Sequence, residues 1–80
     1  MKTVAEVNAE AAKLDELASQ WDMTVSEFIE EYALDQEVPG ICMHAGCNYT
    51  DEVEPDQREG WCENCGHRSM KSGLVLAGLI

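Results

Sequence analysis

Four cysteines constrain this chain more than any other feature. Cys42 and Cys47 form a C-x4-C pair, Cys62 and Cys65 a C-x2-C pair, and fourteen residues separate the two. A chain of 80 residues buries only a modest core, and chains of this size commonly recruit a metal, disulfides or a partner. Two tight turns supplying two thiolates each meet a tetrahedral metal's demand for four ligands at about 2.3 Å. The intervening fourteen residues suffice for a hairpin that returns the second pair to the first. Gly66, directly after Cys65, and Gly46, directly before Cys47, free the backbone for the positive φ that such turns need. The expectation is one structural Zn2+ held by Cys42, Cys47, Cys62 and Cys65.

Three other uses of the thiols compete with this one. Trp61-Cys62-Glu63-Asn64-Cys65 shares the W-C-x-x-C form of thioredoxin-like redox enzymes. That chemistry needs the first cysteine at a helix N-terminus, where its pKa falls. Gly66 follows the pair at once, and no helical stripe extends beyond it. Disulfides are disfavoured by context. The segment Met1-Lys2-Thr3-Val4-Ala5-Glu6 lacks the apolar core of a signal peptide, so a reducing, cytoplasmic location is expected. Rubredoxin-like iron uses the same four ligands. His44 and His67 flank the pairs. His44 is placed to substitute for Cys42, since His44-x2-Cys47 is a tighter pair, but four thiolates already fill a tetrahedron. Both histidines are therefore expected outside the ligand set, exposed or in contact with the site. Arg58, Arg68 and Lys71 are the nearby cations that would offset the charge of a four-thiolate centre.

The charge balance restricts partners. Sixteen acidic residues face five basic ones, for a formal net charge of −11. Residues 1–40 carry −8 of it and residues 41–80 carry −3. Nucleic-acid affinity rests on Lys and Arg neutralising phosphates, so direct DNA or RNA binding is not expected. Residues 15–34 resemble a helix-turn-helix in outline. The helix that would face the phosphates offers Glu27, Glu30, Glu31 and Asp35 and no base. Carboxylates such as Glu30 and Glu31 also allow an acidic DNA-mimic inhibitor of a nucleic-acid-binding protein. A solvated acidic face is the plainer reading.

Val4, Val7, Ala11, Leu14, Ala18 and Trp21 recur at steps of three and four, with Leu17 widening the stripe. This predicts an amphipathic helix over residues 3–21, with Glu6, Glu10, Asp15, Glu16 and Gln20 mostly on the solvent side. Thr24-Val25-Ser26-Glu27 reads as a capping box opening a second helix that ends near residues 34–36, before Pro39-Gly40 forces a turn. Beyond Ile41, strands are expected over residues 48–54, 58–62 and 67–71, with Pro55-Asp56-Gln57 as a hairpin turn. The apolar tail, residues 72–80, is too short to span a bilayer. Its composition predicts a short helix or a last strand buried against the N-terminal helices.

Residues 41–71, with Cys42/Cys47 and Cys62/Cys65 as two knuckles, resemble the zinc-ribbon family. The run from Val38-Pro39-Gly40-Ile41-Cys42 through Val53-Glu54-Pro55-Asp56-Gln57 to Trp61-Cys62 is similar to short ribbon proteins of phages and prophages. The resemblance implies zinc binding on a small antiparallel sheet and leaves activity open. The expected fold is a small α+β metal-stabilised domain over residues 1–80. Its N-terminal helical hairpin (1–38) packs on a four-cysteine zinc ribbon (41–71), closed by the tail (72–80). No glycine-rich phosphate loop and no nucleophile–base pair stands in the sequence. The expected function is accordingly that of a non-enzymatic protein–protein interaction module. A small redox or iron protein using Cys62 and Cys65 is the alternative.

Overall fold

In a computed structural model, residues 3–79 are described; Met1, Lys2 and the tail's last residue, Ile80, lie outside them. The chain is a small α+β fold in which helices precede a curled antiparallel sheet. Helix α1 spans Val4–Gln20 and α2 spans Val25–Tyr32. The hydroxyl of Thr3 caps α1 by accepting from the Glu6 amide at 3.1 Å. The capping box of α2 is complete: the Glu27 amide donates to Thr24 Oγ1 at 3.2 Å, and the Thr24 amide to the Glu27 carboxylate at 2.9 Å. Between the helices Asp22 takes a positive φ of 56°, a conformation Asp tolerates better than bulkier residues. Helix α2 stops at Tyr32, short of residues 34–36. Leu34, 98% exposed, has nothing to pack against there.

Four strands follow, β1 Val38–Cys42, β2 Thr50–Val53, β3 Gly60–Trp61 and β4 Arg68–Ser72, and a single helical turn, α3 Gly73–Leu76, ends the fold. The sheet order is β2-β1-β4-β3, antiparallel throughout. Two expectations are corrected here. Pro39-Gly40 is no turn; it lies within a central strand buried along its whole length. The hydrogen-bond parity explains how proline is accommodated. Cys42 donates to Tyr49 on the β2 side and Met43 to Ser69 on the β4 side. The missing N–H of Pro39 therefore points towards the β4 side, where pairing stops at Gly40↔Ser72. Gly40 is needed because the flanking strands close in. A Cβ there would lie 2.6 Å from Val53 Cγ2 and 2.8 Å from the Lys71 carbonyl.

The second correction concerns Pro55-Asp56-Gln57. It does turn, with the Gln57 amide donating to the Glu54 carbonyl at 3.0 Å. It opens a crossover rather than a hairpin, because β2 and β3 occupy opposite edges of the sheet. Acidic Thr50-Asp51-Glu52-Val53 suits an edge, whereas wholly buried β1 requires a partner on each side. Ser72 ties the crossover down: its hydroxyl donates to the Pro55 carbonyl and its amide to the Gln57 carbonyl at 2.9 Å.

The main core joins Leu14, Leu17 and Ala18 of α1 to Phe28, Ile41 and Leu76. Of the tail, Gly73–Leu76 is buried, while Gly78 and Leu79 are exposed. Gly73 passes so close to the Phe28 ring that a Cβ would overlap it. The α1 stripe is covered only in its C-terminal half. Val4 is 78% exposed, and Val7 and Ala11 are also open to solvent. Glu10, expected on the solvent side, is instead only 6% exposed, with Lys71 Nζ 3.8 Å from its carboxylate. No helix among the described residues is long and apolar enough to cross a membrane.

Candidate metal centre

A second cluster of buried residues, Cys42, Cys47, Cys62 and Met70, lies at one end of the sheet. Strand β4 assembles it. Met70 pairs with Cys42 on β1 and with Gly60 on β3, so the chain leaving each partner strand turns at the same end. The first turn closes through the Cys47 amide donating to the His44 carbonyl at 3.0 Å. The second closes through Cys62 N–H to His67 O and Gly66 N–H to Cys62 O, both at 2.8 Å. Gly46 at φ 82° and Gly66 at φ 74° occupy the left-handed region that the spacing predicts for them.

The four sulfurs all lie within 4.8 Å of one another. Cys42 Sγ is 3.6 Å from Cys65 Sγ, and Cys47 Sγ is 3.8 Å from Cys62 Sγ. A regular tetrahedron with metal–sulfur bonds of about 2.3 Å has edges of roughly 3.8 Å. A disulfide would need roughly 2.05 Å, and all four thiols are free. Each of these contacts joins one pair to the other, so the two turns meet at one cluster. Among the described residues, this is the group of ligating side chains that can hold a metal ion. Donor number, donor type and spacing all fit one.

Polar groups converge on the sulfurs. The Ser69 hydroxyl lies 2.9 Å from Cys42 Sγ, and the His44 amide donates to the same sulfur at 3.4 Å. Burial nonetheless dominates at Cys42 and pushes its thiol up to about 11. At Cys47 the balance reverses. The Asn64 amide, 3.3 Å from Sγ, and the Tyr49 backbone N–H favour the thiolate and hold it down at about 6. Ser69 and Asn64 thus act on the sulfurs, and neither stands out in the sequence. Asn64 had one available signal, its place inside the C-x2-C turn.

A larger omission is Lys13. From the middle of α1 its ammonium donates to the Cys47 carbonyl at 2.6 Å, to Asn48 Oδ1 at 3.0 Å and to the His44 carbonyl at 3.1 Å. It clamps the whole first turn, the one that carries Cys47. Gln20, two turns further along α1, donates to the Asn48 carbonyl at 3.1 Å and accepts from Thr50 Oγ1 at 2.9 Å. Of the cations expected to offset the thiolates, Lys71 faces Glu10 instead. The signal for Lys13 was its isolation, as the one Lys or Arg between residues 3 and 57.

His44 and His67 are not among the grouped ligands. Their exposed rings stack on each other, with centroids 4.6 Å apart and planes 9° from parallel. The stack joins the two cysteine turns across the outside of the cluster. No family model, curated protein or solved structure matches this chain.

Proposed function

We propose that this chain is a structural zinc protein of zinc-ribbon type, built as a helical hairpin on the ribbon, that serves as a non-enzymatic module for protein–protein interaction. One observation carries the reading: four sulfurs within 4.8 Å of one another, from two glycine-assisted turns. Three of the four cysteines are buried and Cys65 is half-buried, which suits a closed structural site better than an open catalytic one. Four thiolates would complete the tetrahedron and leave no position for a substrate. Zinc bound this way supplies on the order of 10 kcal/mol of folding free energy, a large fraction of what a chain of 80 residues needs.

The redox alternative receives less support from the surroundings of Cys62 and Cys65. The pair leads into Gly66 at positive φ and then into β4, not into a helix whose N-terminus would stabilise a thiolate. Elemental analysis combined with thiol titration tests the proposal. One zinc per chain, with four thiols that react only after chelation, supports it. Stoichiometric iron, or a Cys62–Cys65 disulfide that cycles readily under mild oxidants and reductants, contradicts it.

A further inference from the structure

The sheet's curl leaves a groove of about 510 Å³ between its two edges. Its apolar lining comes from Val53, Met70 and Trp61. Trp61 is 61% exposed although it sits directly before buried Cys62. The indole is not simply adrift: a Cβ at Gly66 would meet the ring edge at 3.9 Å, so the ring lies beside the Cys62–Cys65 turn. Glu37, Asp51, Glu52 and Glu54 also line the groove, and among the described residues no Lys or Arg lines it. An exposed indole that shares a groove with carboxylates is complementary to one side-chain chemistry in particular. A guanidinium stacks on the indole face and donates to carboxylates in its own plane.

Resting on the interaction-module reading above, we propose that this groove binds a basic, extended segment of a partner protein, with an arginine seated on Trp61. The occupant's charge follows from the rim and from the chain's net charge of −11. That charge opposes a second copy of the chain and opposes nucleic acid. The occupant's shape follows from the groove's position between edge strands β2 and β3, the span of an extended peptide. Metal and groove are coupled in this account, because the turn bearing Cys62 and Cys65 sets the position of Trp61.

The test is an NMR titration of the zinc-loaded full chain with an acetylated, amidated peptide of three Arg-Val repeats at about 150 mM salt, where exposed charges are largely screened. A Gln-Val peptide is the control. The expected result is a shift of the Trp61 indole N–H and of groove residues, with the Trp21 indole unmoved and the control silent. Trp61→Ala should weaken binding roughly threefold or more, and Glu52→Gln with Glu54→Gln at least as much. Glu30→Gln with Glu31→Gln, which removes equal charge from exposed positions on α2, should change nothing. Shifts spread over all acidic surfaces, equal weakening by the α2 variant, equally tight binding of spermidine, or no binding would each overturn the proposal. Zinc content measured on the same samples separates the two claims. A folded, zinc-loaded chain that ignores the peptide refutes the groove alone, while a metal-free folded chain refutes the zinc reading whatever the peptide does.

Discussion

Replacing Lys13 with methionine keeps the aliphatic stem and removes the ammonium that holds the first cysteine turn. The magnitude follows from its three contacts. The bonds to His44 and Asn48 are exposed, and water replaces them at little net cost. The 2.6 Å bond to the Cys47 carbonyl is partly buried and charge-assisted, a class worth about 1.5–3 kcal/mol. Losing it should cost the zinc-loaded protein about 2 kcal/mol in urea unfolding. Because the same turn carries Cys47, most of that loss should appear as weaker metal binding, a factor of roughly 30 at about 1.4 kcal/mol per decade. Competition with a chromophoric chelator reads it directly. Lys13→Arg should restore part of the loss, since it returns charge with a different donor geometry. A Lys13→Met protein within about 0.5 kcal/mol of wild type, with unchanged metal affinity, would refute the claim that α1 secures the site.

Further outcomes follow from the packing and the sulfurs. Gly73→Ala should destabilise by about 1–3 kcal/mol through collision with the Phe28 ring, and Phe28→Leu should recover part of that in a double-mutant cycle measured by chemical denaturation. In the metal-free chain, whose sheet should lose its structure, an ordinary thiol of pKa about 8.5 is mostly protonated at neutral pH. Metal uptake near pH 7 should therefore release thiol protons, and apparent affinity should rise from pH 6 towards pH 9. Calorimetry in buffers of different ionisation enthalpy would show the release, and a pH-independent affinity would contradict it. Complete chelation should collapse the amide dispersion of the sheet, residues 38–72, and retained native shifts after metal removal would count against a structural role.

The features legible in the sequence were those whose partners lie close in the chain. Thr24 and Glu27 cap one another across three residues, and Gly46 and Gly66 adjoin the cysteines whose turns need them. The two cysteine pairs carry their meaning in their spacing. What escaped depends on distant neighbours. Pro39-Gly40 has the composition of a turn, and only β2 and β4 on either side make it a central strand with room for no Cβ at Gly40. Pro55-Asp56-Gln57 reads as a hairpin because local chemistry specifies a turn but not which edge the next strand will join. Glu10 belongs by periodicity to the wet face of α1, yet it is buried beside Lys71 from the far end of the chain. Lys13 reaches a turn more than thirty residues away. Its target could not be identified before the fold placed α1 against residues 44–48.

The proposed zinc site requires four sulfurs to share one ion. X-ray absorption at the zinc edge of the purified protein tests this most directly, because it reads ligand identity as well as metal identity. The expected result is one zinc per chain with four sulfur neighbours at about 2.3 Å and no nitrogen or oxygen in the shell. A shell containing nitrogen, which would bring His44 or His67 in place of a cysteine, would contradict it, as would a protein that folds fully without zinc.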